Sequence, residues 1–225
     1  MNESEEFTIG VEEEYQIIDP QTRELCGKAE QIINYAKENL EENSEQDLIQ
    51  PEMYRSQVEI ATVVCQSLAE VRQELSRCRQ AVIDAAEKSG KAIAAAGTHP
   101  FSDWREQEIT PKTRYRNLES EFKQLISELV IFGNHVHIGF SDRPLALQVI
   151  NRARIWLPVL LALSANSPFW LGQETGYASY RTEMWTRLPL AGQPQIFTDY
   201  QEYQTLIDDL ISSGAIDDPI LITHV

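Results

Sequence analysis

The sequence predicts an α+β fold: a mostly antiparallel sheet with helices packed against its apolar face. Two observations carry this expectation. Several short segments alternate apolar and polar residues with the two-residue period of a half-buried strand. Between them lie longer stretches with helical spacing, an arrangement that suits a sheet covered by helices on one side. No repeat, low-complexity tract or Gly/Ser linker divides the chain, so residues 1–225 are expected to form a single domain.

The elements follow in order. From Glu6 to Asp19, Ile9, Val11, Tyr15 and Ile17 fall on one strand face and Gly10, Glu12, Glu14 and Gln16 on the other. Ala29 to Leu40 has helical spacing, and "EENSEQD" after it reads as a solvated connection. Glu52 to Thr62 reads as a second strand, with Val58 and Ile60 alternating against Gln57, Glu59 and Ala61. Ser67 and Glu70 form a capping box for a long helix that ends near Gly90. "KAIAAAG" is expected as a buried strand running into the turn "GTHPF". Apolar spacing then predicts a helix over Leu118–Phe132, followed by an alternating strand over Gly133–Phe140. Asp142 can cap a helix with Pro144 in its first turn, continuing to Leu163, and Pro158 is expected to kink or divide it. "PFWLGQETGYASYRTEMWTRLP" is too long for a simple turn, and long ordered loops of this kind are often functional. A last helix covers Asp199–Ser212.

Charge and composition narrow the function. A formal charge of −16 and a pI near 4.6 argue against a sequence-independent grip on nucleic acid or on an anionic membrane. Cys26, Cys65 and Cys78 show neither zinc-site nor disulfide spacing, which fits a reducing compartment. The acidic N-terminus does not resemble a signal peptide, and the longest apolar run, Ile155–Leu163, is far shorter than the roughly 20 residues of a membrane span. A cytoplasmic location is expected.

The stretch "TIGVEEEYQIID" puts Glu12, Glu13 and Glu14 into a segment that otherwise wants burial. Strand geometry places Glu12 and Glu14 on one face, Glu59 on the polar face of the second strand with Glu52 near its start, and His135 with His137 on one face of a third. If these are the same face of one sheet, four carboxylates and two imidazoles converge. Such a set suits Mg²⁺ or Mn²⁺, which would relieve the repulsion and let an acidic protein hold a polyphosphate. A solvated strand face explains the acidic run equally simply. Arg114, Arg116, Arg181 and Arg187 could clamp carboxylates or phosphates, or pair with acidic neighbours. His99 in "GTHPF" is either a substrate-contacting residue or part of a stiff corner. P-loop, G-x-G-x-x-G and G-x-S-x-G signatures are absent.

Taken together, "TIGVEEEYQIID", "QVEIAT", "GTHPF", "YRNLESEF", "FGNHVHIGF" and "LSANSPFW" followed by "SYRTEMWTRLP" resemble, in order and spacing, the carboxylate–amine ligases of the glutamate–cysteine ligase type 2 family. The resemblance runs from Phe7 to Asp218. It implies a glutamine synthetase-like fold, in which a curved antiparallel sheet holds divalent cations and ATP on its concave face. The implied reaction phosphorylates a carboxylate to an acyl phosphate, which an amine attacks to give an amide; weak glutamate–cysteine ligase activity is common among such proteins. By the same resemblance Glu12, Glu14 and Glu59 bind metal, with Glu52 a fourth ligand. His137 lies near metal and phosphate as a ligand and catalytic group. His135 is its neighbour on the cofactor side, and Arg181 holds substrate carboxylate or phosphate. ATP and Mg²⁺, or Mn²⁺ in its place, are the implied cofactors. The partners are small amino-acid substrates, not nucleic acid or membrane. A homodimer is compatible with the family.

Relatives of that kind continue past the point matching "AIDDP" with a D-x-R-P segment and an E-x-R strand. The chain is therefore expected to be the N-terminal part of the ligase domain, with an open sheet edge. The alternative function is a catalytically incomplete ligase fold that acts as a binding module, or as a subunit whose partner supplies the missing strands.

Overall fold

The longest strand organises the sheet. Strand β1 (Thr8–Ile18) alternates as expected: Val11, Tyr15 and Ile17 are buried on one face, while Glu12 and Glu14 line the other. The computed structural model describes residues 7–40 and 48–216. Along one side, β1 pairs with β3 (Gln57–Ala61), which pairs with β2 (Ile49–Pro51). Along its other side, β1 pairs first with β5 (Asn134–Gly139) and then, near its C-terminal end, with β4 (Ala92–Ala94). Every pairing is antiparallel.

Helices α1 (Ala29–Asn39) and α2 (Leu68–Lys88) cover one face of this sheet. Tyr15, Ile17, Ile49, Val58 and Ile60 from the strands meet Ile32, Ile33 and Ala36 of α1 and Ala81, Val82, Ala85 and Ala86 of α2. Each fully buried Ile or Val here contributes about 2 kcal/mol of transfer free energy, which drives the layering. The start of α2 is fixed locally: Ser67 Oγ accepts from the Glu70 N–H (3.2 Å), and the Glu70 carboxylate reaches back to the Gln66 N–H (2.7 Å). Cys26, Cys65 and Cys78 are free thiols.

The described chain divides into two compact units. The first comprises residues up to Gly139 together with Asn166–Arg181, and holds the sheet, α1, α2, α3 (Thr113–Phe122) and α4 (Gln124–Ser127). It also contains a small hairpin of β6 (Phe169–Trp170) and β7 (Gln173–Glu174). The second comprises Phe140–Ala165 and the chain from Thr182 onward, and is built on α5 (Arg143–Ala153), α6 (Leu157–Ser164) and α8 (Tyr200–Ser212). Helix α7 (Tyr180–Trp185) carries the chain from one unit into the other.

Several expected boundaries shift. The segment from Glu52 is not strand throughout: β3 begins only at Gln57, because Tyr54 to Gln57 form a turn in which the Gln57 side chain accepts from the Tyr54 N–H (3.0 Å). Strand β2 went unrecognised because three residues are too few for an alternation to show. The strand in "KAIAAAG" shrinks to Ala92–Ala94 and is partly exposed rather than buried. The helix expected over Leu118–Phe132 starts earlier, at Thr113, breaks at Lys123, where φ is +51°, and ends at Ser127. Glu128 is a turn that ends the helix, and the chain beyond it is not helical, with Ile131 bridging to Thr98. The long aromatic loop contains the β6–β7 hairpin and α7. The "EENSEQD" connection lies outside the described residues. Elsewhere the agreement is close: Asp142 and Asp199 cap α5 and α8, and the helix predicted to Leu163 divides at a 3₁₀ turn (Arg154–Trp156) just before Pro158.

Candidate active site

Register alone assembles the polar face. Glu14 of β1 lies directly opposite Glu59 of β3, and Glu59 lies opposite Gln50 of β2. One pair along, Glu12 faces His135 of β5, and His137 faces Gly10. Because side chains alternate with period two, all of these groups emerge on the face opposite α1 and α2.

The three consecutive glutamates therefore have different fates. Glu13 points into the helix layer, where it accepts from Arg79 Nε of α2 (2.7 Å) and from the Tyr15 hydroxyl. Burial opposes its charge, but the Arg79 and Tyr15 hydrogen bonds dominate and hold its pKa below the usual value. Glu12 and Glu14 lie in two separate clusters on the open face. In the first, Glu12 Oε2 meets His135 Nδ1 at 3.2 Å and His137 Nε2 at 3.0 Å. In the second, one carboxylate oxygen from each of Glu14, Glu52 and Glu59 lies within 4.8 Å of the others.

The second cluster is electrostatically costly. Burial first, and then the charges of Glu52, Glu12 and Glu14, push Glu59 up to about 8. Burial and Glu52 push Glu14 up to about 7, against the pull of the Gly133 N–H and Arg181. Each carboxylate nevertheless has a fixed orientation. Gln50 Nε2 donates to Glu59 Oε1 (2.9 Å), the Gly133 N–H donates to Glu14 Oε2 (2.8 Å), and the buried Tyr115 hydroxyl donates to Glu52. Glu52 itself follows β2 and is anchored by its backbone carbonyl, which accepts from Thr110 Oγ1 (2.6 Å).

Gly133 sits at the centre of the site, opposite Glu14, whose N–H donates to the Gly133 carbonyl (3.0 Å). A Cβ at this position would lie 2.8 Å from His135 Nε2, 3.1 Å from Arg181 Nη2 and 3.3 Å from Glu14 Oε1. Three functional groups thus converge on space that only glycine leaves open. Arg181 is held by its Nε, which donates to the Phe132 carbonyl (2.8 Å), and its backbone N–H donates to Ser167 Oγ (3.2 Å). Its burial lowers the guanidinium pKa, and the Glu14 charge works in the opposite direction.

Glu12, Glu14, Glu52, Glu59, His135, His137 and Arg181 are therefore brought to one face. Gln50, Tyr115 and Gly133 were not recognised from the sequence, because nothing local marks them; a glycine immediately before an alternating strand was the one available signal. His99 resolves to the stiff corner. Its Nδ1 accepts from the Ser102 N–H (2.9 Å), so Nε2 carries the proton and donates to the Arg23 carbonyl (3.0 Å).

A profile of glutamate–cysteine ligase family 2 matches residues 8–219, nearly the whole chain. The chain belongs to that family. Among curated members, it is 43% identical over 211 residues to a protein of Rhodopirellula baltica named "Putative glutamate--cysteine ligase 2", and 46% identical over 211 residues to one of the same name in Herpetosiphon aurantiacus. Each alignment takes in 94% of this chain, but 57% and 54% of the respective relative. The chain thus spans about half the length of the curated family members it matches. Two solved structures share the fold at low identity. A bifunctional glutathione synthetase from Pasteurella multocida aligns over 96% of this chain and 32% of its own, with a TM-score of 0.66 and 12% identity. A glutamate–cysteine ligase from Francisella tularensis, solved in complex with AMP, aligns over 68% of this chain and 34% of its own, with a TM-score of 0.54 and 15% identity.

Proposed function

We propose that this chain carries the metal- and nucleotide-binding face of an ATP-dependent carboxylate–amine ligase acting on small amino-acid substrates. The observation that carries the reading is the register of β1 between β3 and β5, which sets Glu14 against Glu59 and Glu12 against His135. The donor sets fit the implied cations: three carboxylates on one side, and a carboxylate with two imidazoles on the other, suit Mg²⁺ or Mn²⁺. When bound, the cations would supply charge neutralisation for the phosphates of ATP and of an acyl phosphate.

The remaining roles belong to the chain itself. Glu14, Glu52 and Glu59 would hold one cation; Glu12 and His137 would hold a second, with His135 beside them. Arg181, pinned through its Nε, sets its Nη2 beside Gly133 and near the Glu14 carboxylate, where its charge would attract a substrate carboxylate or a phosphate. In the reaction, a carboxylate oxygen attacks the terminal phosphorus of ATP and ADP leaves. The amine nitrogen then attacks the acyl carbon, phosphate leaves, the amine loses its proton and an amide remains. The chain positions an in-line transfer rather than supplying a covalent nucleophile. A cytoplasmic location belongs to the same proposal, supported by the acidic composition and the three free thiols.

The test is ADP release by the purified chain with Mg²⁺, ATP, glutamate and cysteine, beside calorimetric titration with Mg²⁺-ATP. Glu14→Gln and Glu59→Gln should each remove metal-dependent binding from a folded protein. Unchanged Mg²⁺-ATP binding in both variants would remove the proposal.

A further inference from the structure

We propose that Asn166 and Ser167 are positioning residues for Arg181: with Gly97 and Phe132 they close a ring of hydrogen bonds that fixes the guanidinium beside Glu14. The proposal rests on the reading of Arg181 given above. All of the residues it involves belong to the first compact unit.

The ring can be followed bond by bond. Arg181 Nε donates to the Phe132 carbonyl (2.8 Å), and the Phe132 N–H donates to the Gly97 carbonyl (3.0 Å). The Gly97 N–H donates in turn to Asn166 Oδ1 (2.9 Å). Ser167, the next residue along the chain, closes the ring: its Oγ accepts from the Arg181 N–H (3.2 Å). Ser167 is only 2% exposed, and its backbone adds two more bonds to the same segment. Its N–H donates to the Ala178 carbonyl (3.1 Å), and its carbonyl accepts from the Tyr180 N–H (2.9 Å). The groups meet so closely that Gly97 leaves no room for a side chain. A Cβ there would lie 3.1 Å from Asn166 Oδ1, 3.1 Å from Ser167 Oγ and 3.2 Å from Arg181 Cβ.

Two buried amides anchor the ring to the sheet. Gln16 continues the row of Glu12 and Glu14 on β1 and lies opposite Gln57 of β3, as Glu14 lies opposite Glu59. Both side chains are buried. Gln16 Nε2 donates to the carbonyl of Ala96, beside Gly97 (3.0 Å), and Gln57 Nε2 to the carbonyl of Ile131, beside Phe132 (2.7 Å). The two segments that hold Arg181 are thereby tied to the strands that carry the carboxylates. A satisfied buried polar network is rigid. Arginine is long and flexible, so ordering it during binding costs entropy, and a guanidinium held in place beforehand avoids that cost.

The test reads hydrogen exchange at the Arg181 Nε–H by proton–nitrogen magnetic resonance, the signal being assigned by its loss in Arg181→Lys. Beside it run calorimetric titration with Mg²⁺-ATP and Mn²⁺ binding by electron paramagnetic resonance. Asn166→Ala, at an exposed position, and Ser167→Ala should each speed that exchange about tenfold and weaken Mg²⁺-ATP binding about tenfold, with Mn²⁺ affinity unchanged. Asn166→Asp keeps the accepting oxygen and should return both readings toward wild type. A role confined to stability would lower Tm and move neither. Wild-type exchange in both alanine variants would overturn the proposal, and so would an Asn166→Asp chain no better than Asn166→Ala. Loss of Mn²⁺ affinity equal to the loss of Mg²⁺-ATP affinity would also overturn it, since the whole face would then have moved. Failure of the wild-type chain to bind Mg²⁺-ATP would remove the proposed function and this role of the ring together. The exchange measurement needs no ligand, so that failure is told apart from a failure of the ring itself.

Discussion

Replacing Glu59 with Gln separates the electrostatic cost of the acidic face from its packing, since Gln keeps the oxygen that accepts from Gln50 Nε2. In the metal-free protein, burial and then Glu52, Glu12 and Glu14 raise the Glu59 pKa from 4.5 to about 8. A raised folded-state pKa means the native state favours the proton. The stability contributed by Glu59 is therefore complete below pH 4.5 and is lost as pH climbs through 8. At 1.36 kcal/mol per pKa unit the loss is bounded at about 5 kcal/mol; solvent reaching this partly exposed group reduces it to about 2 kcal/mol. For a chain of this size, that is a shift of about 5 °C in Tm. In EDTA, Glu59→Gln should match the wild type at pH 5 and melt about 5 °C higher at pH 8.5. Mg²⁺ should reverse the order at pH 8.5. At a hundredfold excess over Kd, binding adds about 2.7 kcal/mol to the wild type, and the variant lacks one ligand. Differential scanning fluorimetry across pH 5–8.5, with EDTA or Mg²⁺, reads all of this. Parallel pH profiles for the two proteins in EDTA would refute the reasoning.

Further outcomes follow from the supporting residues. Tyr115→Phe removes the donor to Glu52 and should weaken Mn²⁺ binding about tenfold by electron paramagnetic resonance, the cost typical of losing an orienting partner; unaltered affinity would show that Glu52 needs no orientation. Gly133→Ala puts a methyl 2.8 Å from His135 Nε2, so it should destabilise by about 1–3 kcal/mol and abolish Mg²⁺-ATP binding; a calorimetric titration like that of wild type would contradict the crowding. Arg79→Met leaves Glu13 facing α2 without its cation. Because the wild-type Glu13 pKa is lowered, the stability it provides is present above its unfolded value and lost as pH falls through the folded one. The variant's deficit should therefore be largest near neutrality and shrink toward pH 3, and a pH-independent deficit would point to packing alone. Ile17→Ala, at a fully buried position against α1 and α2, should cost about 2–5 kcal/mol by urea denaturation and leave Mg²⁺ affinity intact in the folded fraction.

What could be read from the chain, and what could not, follows from the range of each interaction. Alternation in β1, β3 and β5 is local, so the residue pattern alone shows the two faces of each strand and puts Glu12, Glu14, Glu59, His135 and His137 on polar faces. Caps are local too, and Ser67, Asp142 and Asp199 each start their helix where expected. The break at Lys123 was not legible, because the apolar spacing continues across it and nothing local marks the positive φ there.

The sequence by itself determined the layered α+β plan, the family and the identity of the acidic and imidazole groups. Only the tertiary structure decided how they are divided. Pairing register is a long-range property, and it set Glu14 against Glu59 but Glu12 against His135, making two clusters from one row of charges. It likewise delivered Tyr115 from α3 to Glu52, and placed Gly133 where His135, Arg181 and Glu14 converge. Strand periodicity fixes the direction in which a side chain points; the groups it meets there are set by chain segments far away in sequence.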